Sequence, residues 1–151
     1  MTVIRRGNRT DIPAIIGMAR DMHQESPRYR TLGFDEEKIN ALALHLMLNK
    51  DAGGVLVAEN ETGLVGMLAF HIGEHFFSND RFASDVVVYL RPAARGGSLF
   101  PRMVRAFEAW ADEYLVSEKM LGVSAEIDSQ QVVDVLGRMG YAQVATGTMK
   151  K

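Results

Sequence analysis

The sequence predicts an α/β or α+β layer fold built on a mixed sheet. Strand-like and helix-like segments follow one another in the order β-α-α-β-β-β-α-β-α-β, and the C-terminal half reads strand–helix–strand–helix–strand. The chain has 151 residues, 47% hydrophobic and 24% charged, the size and composition of one globular domain spanning 1–151. Neither repeats nor linkers interrupt it.

Val3 and Ile4 lie in a short run ending at Gly7, a first strand. Thr10 or Asp11 can cap the next helix, and Pro13 falls in its first turn, where a missing N–H is no loss. Ala14, Ile15, Met18, Ala19 and Met22 follow at helical spacing, and Ser26-Pro27 ends the helix, because the residue before proline avoids helical geometry. Asp35 caps a second helix running to about residue 50; Phe34 can staple onto Ile39, and Ile39, Leu42, Leu46 and Met47 mark its apolar face. Residues 55–58 form a short apolar strand, 60–63 a turn and 64–72 a second strand, together a hairpin. After a loop at 76–81, Val86-Val87-Val88-Tyr89-Leu90 is the most β-prone run, closed by Pro92. A helix over about 98–115 carries Leu99, Met103, Phe107 and Trp110, its stripe widened by Val104, Ala106 and Ala111. Residues 121–127 read as a strand, 130–139 as a helix stopped by Gly140, and 141–149 as a last strand.

Lys plus Arg is 17 and Asp plus Glu is 19, a formal charge of −2, which excludes a basic nucleic-acid coat and a charged disordered tail. There is no cysteine, so disulfides, zinc–thiolate sites and cysteine nucleophiles are excluded. No signal-peptide pattern and no run of membrane-spanning length is present. The expectation is a cytoplasmic protein with no nucleic-acid and no membrane partner.

The most informative segment runs from 86 to 107. A strand enters Arg91-Pro92-Ala93-Ala94-Arg95-Gly96-Gly97-Ser98, which opens directly into a long helix. Gly96 and Gly97 let the backbone turn tightly against a ligand, the helix N-terminus offers unpaired N–H groups, and Arg95 and Ser98 add a cation and a hydroxyl. A pyrophosphate fits such a site. The same residues also serve as an ordinary strand–loop–helix turn that needs glycine for its geometry.

This stretch resembles motif A of the GNAT acyl-CoA N-acyltransferases, whose Arg/Gln-x-x-Gly-x-Gly/Ala loop binds the acetyl-CoA pyrophosphate. The matching loop is Arg95-Gly96-Gly97-Ser98-Leu99-Phe100, and the order of elements through Leu136, Met139, Gly140 and Tyr141 extends the resemblance over the whole chain. The resemblance implies a GNAT fold, a mixed and mostly antiparallel sheet flanked by helices. It further implies acetyl-CoA as acyl donor, direct transfer to a primary amine on a small molecule, protein N-terminus or lysine, and a homodimer. Val88, Tyr89 and Leu90 would pair with the pantetheine, and Arg95, Gly96, Gly97, Ser98 and Leu99 would hold the pyrophosphate. A main-chain N–H at about Tyr89 or Leu90 would serve the oxyanion. Two departures stand out: Phe100 is bulky where the family has Gly or Ala, and Leu136 replaces a Tyr that protonates the departing thiolate. Both favour an alternative, a non-catalytic acyl-CoA-binding or protein-interaction module on the same fold. A nucleotide-binding domain using the same glycine loop is a third reading.

An amine acceptor must lose a proton, so a general base is expected. Asp85 is the first candidate: it opens the fourth strand and alternates onto the face of Val87 and Tyr89, although a slip of one residue would substitute Ser84. Glu126, near the end of the fifth strand, is the second and His71 the third. Each also reads as an ordinary structural or solvated residue. Arg28 and Tyr29, between the first two helices, together with His71, are the candidates for touching the acceptor. His71-Ile72-Gly73-Glu74-His75 matches a helical zinc motif, H-x-x-E-H. On a strand the two histidines stand about 13 Å apart, too far for one ion, so no metal site is expected.

Overall fold

The computed structural model describes residues 1–151 and contains five strands and four helices. In chain order these are β1 (Val3–Arg6), α1 (Ile12–Glu25), α2 (Glu36–Leu48), β2 (Gly53–Asn60), β3 (Gly63–Glu74), β4 (Arg81–Leu90), α3 (Leu99–Asp112), β5 (Glu118–Met120) and α4 (Ser129–Arg138). The strands form one sheet in sequence order, β1-β2-β3-β4-β5. The first three pairings are antiparallel, and β4–β5 is parallel over three residue pairs only, from Phe82 opposite Glu118 to Ser84 opposite Met120. The mixed, mostly antiparallel sheet flanked by helices is therefore the predicted one. No helix is long and apolar enough to cross a membrane.

Each face of the sheet has its own core. On one side Leu56, Leu68, Phe70 and Leu90 pack against Leu99, Met103, Phe107 and Ala111 of α3. On the other, Val55, Val57, Met67, Ala69 and Tyr89 pack against Ile15, Met18 and Ala19 of α1 and Leu46 of α2. The α3 stripe read from the sequence thus points at the sheet. Trp110 lies so close that a Cβ on Gly54 would stand 2.3 Å from its ring, so that position admits only glycine.

The local stop and start signals act as their chemistry dictates. Asp35 accepts from the N–H groups of Glu37 and Lys38 at the start of α2. Gly140 ends α4 at φ +94°, with Gly140 N–H donating to Gly137 and Tyr141 N–H to Leu136, the paired bonds of a left-handed helix stop.

Four expectations are corrected. Asp11 does not cap α1 with its side chain. Asn8 caps a preceding 3-10 turn instead, and the Asp11 carboxylate accepts from both terminal nitrogens of Arg5 at 2.8 and 2.9 Å and from Asn8 N–H. The fourth strand begins earlier than predicted, at Arg81, so Asp85 lies inside β4 and does not open it. Residues 121–127 form no strand: β5 ends at Met120, and the backbone beyond it includes positive φ at Glu126 and Asp128. Residues 141–149 form none either, because three-residue β5 leaves no edge long enough to take a further strand.

The Arg5–Asp11 pair fastens β1 to the start of α1, and Glu59 on β2 also accepts from Arg5. Asp11→Asn is expected to cost about 2 kcal/mol, the scale of hydrogen bonds to a charged group, and to lower Tm by about 4–8 °C in thermal unfolding at neutral pH. Hydrogen bonds from Arg5 hold the Asp11 carboxyl below its ordinary value of 3.8. Its stabilisation is therefore full above that value and lost as pH falls through the lower folded one. The difference in Tm between Asp11→Asn and the parent should shrink on acidification.

Candidate functional site

The site begins with one extra residue in β4. Ala69 of β3 faces Val87, but the next residue, Phe70, faces Asp85, so Val86 is a bulge with no partner. The bulge reverses the alternation. Phe70, opposite Asp85, belongs to the α3-side core, whereas Val87 and Tyr89 belong to the α1/α2-side core. Asp85 is therefore on the opposite face from Val87 and Tyr89, contrary to the expectation, and Ser84 takes the face they occupy.

The bulge coincides with the end of β4–β5 pairing. Beyond Ser84 and Met120 the two chains part, and the last tie between them is a side chain: Asp85 Oδ1 accepts from Gly122 N–H at 2.8 Å. Burial raises the Asp85 carboxyl above its ordinary value, against the lowering effects of the Gly122 bond and the nearby His71.

Past this point one edge of β4 is open. Arg91 N–H donates to Val65 on β3, and hydrogen-bonded pairs recur at every second residue of an antiparallel ladder. Tyr89 and Val87 therefore also turn their backbones to β3, while Val88 and Leu90 present theirs to the open side. Leu90 carbonyl confirms this direction by accepting from Arg95 Nε at 2.9 Å. Of the three residues expected to offer main-chain groups, Val88 and Leu90 do so. Tyr89 contributes its buried ring, with the Arg95 guanidinium 5.4 Å from the centroid.

The parted chains enclose a cleft of about 540 Å³, walled by residues 85–90 of β4, by the segment 121–125, and by the facing ends of α3 and α4. At its α3 end lies the glycine loop. Gly96 has φ +83°, a conformation that favours glycine, and Gly97 has no neighbour crowding its Cβ position. Arg95 is held by Glu25 at 2.6 Å and lies 3.6 Å from Asp128, and Arg91 is paired with Asp21 at 2.7 Å.

Among the residues singled out from sequence, Asp85, Val88, Tyr89, Leu90, Arg95, Gly96 and Gly97 line this cleft. Ser98 is exposed just outside it, and Leu99 is buried in the α3-side core. Glu126 is exposed and lines neither this cleft nor the cavity described next; Ile127 and Asp128 take the wall. His71 is exposed on β3, its ring edge-on to Phe82 and away from both cavities. Phe100 and Leu136 both line the cleft. Sequence reasoning missed Arg105 on α3 and Arg138 on α4, two exposed cations that face the same space. Only their meeting across two helices marks them.

A second cavity of about 290 Å³ lies between α1, α2 and the sheet. Met22, Tyr29, Val86 and Val87 line both cavities, so they adjoin at the bulge. Their common wall is fastened from above. Ser26 Oγ donates to Ala125 carbonyl at 2.5 Å, Arg28 Nη1 to Ser124 carbonyl at 3.1 Å, and Tyr29 hydroxyl to Ser124 Oγ at 2.8 Å. Arg28 thus serves this tie and lines neither cavity, whereas Tyr29 lines both.

No family model and no curated protein matches the sequence. Solved structures do match in fold. A transcriptional regulator from Bacillus halodurans C-125 superposes with a TM-score of 0.77 at 16% identity, over 100% of this chain and 99% of its own. Ribosomal-protein-alanine N-acetyltransferase from Brucella melitensis biovar Abortus 2308 gives 0.74 at 15% identity, over 99% and 98%. An aminoglycoside N-acetyltransferase in complex with a CoA-based bisubstrate analogue gives 0.75 at 14% identity, over 100% and 97%. The chain therefore has the fold of the GNAT acetyltransferases that its sequence resembles.

Proposed function

We propose that this chain is an acetyl-CoA-dependent N-acetyltransferase of the GNAT family, acting as one domain over 1–151. The observation that carries this reading is the open edge of β4, which leads from the bulge at Val86 straight to the glycine loop at the head of α3. An extended thioester arm and a polyanionic nucleotide need those two surfaces in that order.

The residues present fit the cofactor. Val88 and Leu90 offer main-chain groups to an extended amide-bearing arm, as an added strand would be held. Gly96, Gly97 and the first N–H groups of α3 suit a pyrophosphate, and Arg95 stands beside them. Arg105 and Arg138 supply charge for a further phosphate. Phe100 packs against the α3-side core as it lines the cleft, which leaves the loop backbone accessible. When bound, acetyl-CoA supplies an activated acetyl carbonyl and a sulfur leaving group, so that a C–N bond replaces a C–S bond and a proton passes from nitrogen to sulfur.

Asp85 is assigned as the base that accepts the amine proton, directly or through water. Its Oδ1 is committed to Gly122, which leaves Oδ2 to act, and burial brings its carboxyl closer to the range in which a base works. The N–H of Val88 or Leu90 would stabilise charge on the carbonyl oxygen. Leu136 presents only hydrocarbon to the cleft, so α4 provides no acid for the sulfur. That side chain favours a second reading, a CoA-binding module without transfer activity, and release of free CoA in the presence of amines decides between the two.

Asp85→Asn keeps an oxygen for Gly122 N–H and removes the base. The expected result is a Tm close to the parent's and CoA release slowed about 100-fold. The parent's kcat/KM should fall as pH drops through a value above 3.8, because the base must be ionised, and the variant should lack that limb. Arg105→Ala combined with Arg138→Ala should raise KM for acetyl-CoA about tenfold with kcat little changed. The same variant should no longer distinguish CoA from dephospho-CoA in a thermal-shift titration.

A further inference from the structure

The cavity between α1, α2 and the sheet adjoins the cleft at the bulge, across the wall formed by Met22, Tyr29, Val86 and Val87, and its lining is almost wholly apolar. Of its 17 lining residues 15 are hydrophobic, and none is Asp or Glu. The carboxylates on neighbouring turns are already engaged: Asp21 with Arg91, Glu25 with Arg95, and Glu36 with Arg20. The mouth is rimmed by large apolar side chains left in solvent, with Leu32 57%, Leu42 43% and Val86 42% exposed. The backbone at Leu32 is tied to α1, its carbonyl accepting from His23 Nε2 at 2.8 Å. Exposed leucines around a hollow of this kind mark a surface that a ligand covers.

Resting on the acetyltransferase reading above, we propose that this cavity takes the apolar body of the acceptor, an arylalkyl or branched alkyl primary amine, and that polycationic amines are not its substrates. An apolar cavity of about 150 Å³ holds one benzene ring. The roughly 290 Å³ here accommodates a two-ring aromatic or a comparable aliphatic group. With its body seated there, the amine is directed to the shared wall at Val86 and Val87, and Asp85, the residue before them on β4, lines the cleft on the other side of that wall. No carboxylate in the lining offers the countercharges that a polycation needs on leaving water. The apolar surroundings also favour the neutral, nucleophilic form of the amine over the ammonium form.

The test starts with a thermal-shift titration with acetyl-CoA, followed by calorimetry of the CoA-loaded protein with tryptamine, phenethylamine, spermidine and neamine. The expected result is an acetyl-CoA shift, binding of tryptamine at least tenfold tighter than spermidine or neamine, and the same order in kcat/KM for CoA release. Ala43→Leu, which fills the cavity, should weaken tryptamine at least fivefold and leave the acetyl-CoA shift unchanged. Leu42→Asp, at an exposed rim position that does not threaten folding, should weaken tryptamine and strengthen spermidine. An acetyl-CoA shift accompanied by equal or tighter spermidine binding, or by tryptamine binding indifferent to both substitutions, overturns this inference and leaves the acetyltransferase reading standing. Absence of any acetyl-CoA shift overturns both.

Discussion

A single side-chain rung, Asp85 Oδ1 to Gly122 N–H, holds the point at which β4 and β5 stop being neighbours. At the end of a three-pair parallel ladder the next N–H, that of Gly122, has no backbone partner on the receding strand. The carboxylate supplies it. Because the reach of a side chain exceeds that of a backbone carbonyl, the rung joins chains that are already separating. The bulge at Val86 then turns β4 so that its face changes and its edge stays free. An open strand edge is ordinarily a hazard for edge-to-edge association. Here it lies inside a cleft walled by α3, α4 and the segment 121–125, sheltered from other chains and accessible to a narrow ligand.

Much of the architecture was legible because local signals agreed with the tertiary result. Asp35 and Gly140 bound their helices by hydrogen bonds that any such residue makes, the α3 stripe pointed to the sheet, and the hairpin followed from its turn. Glycines followed by serine, after a strand and before a helix, located the loop that lines the cleft at the head of α3. What the sequence hides is the bulge. It falls in Val86-Val87-Val88, where three identical side chains carry no alternation and so no sign of where the faces exchange. The side of the sheet taken by Asp85 hangs on that unseen residue.

The segment 121–127 misled for the opposite reason. Its alternating apolar residues are real, and Leu121, Val123, Ala125 and Ile127 do face inward, yet they face a cleft and not a partner strand. Asp11 looked like a helix cap because its sequence position suits one, but a bidentate guanidinium on β1 competes for the same oxygens. Arg105 and Arg138 carry no local mark, since 33 residues separate them and only the packing of two helices brings them to one space.

The ion pair between Arg95 and Glu25 joins the glycine loop to the end of α1. The Arg95 guanidinium beside the glycine loop is not free: Glu25, the last residue of α1, already holds it, and Ser26, the very next residue, fastens the wall between the cleft and the apolar cavity. An anion arriving at Arg95 would not meet a bare cation: it would share or displace the Glu25 carboxylate, so that binding would be in part an exchange of counterions. Glu25 closes the helix that shapes the second cavity, so the glycine loop and the wall of that cavity hang from the same helix end, through adjacent residues.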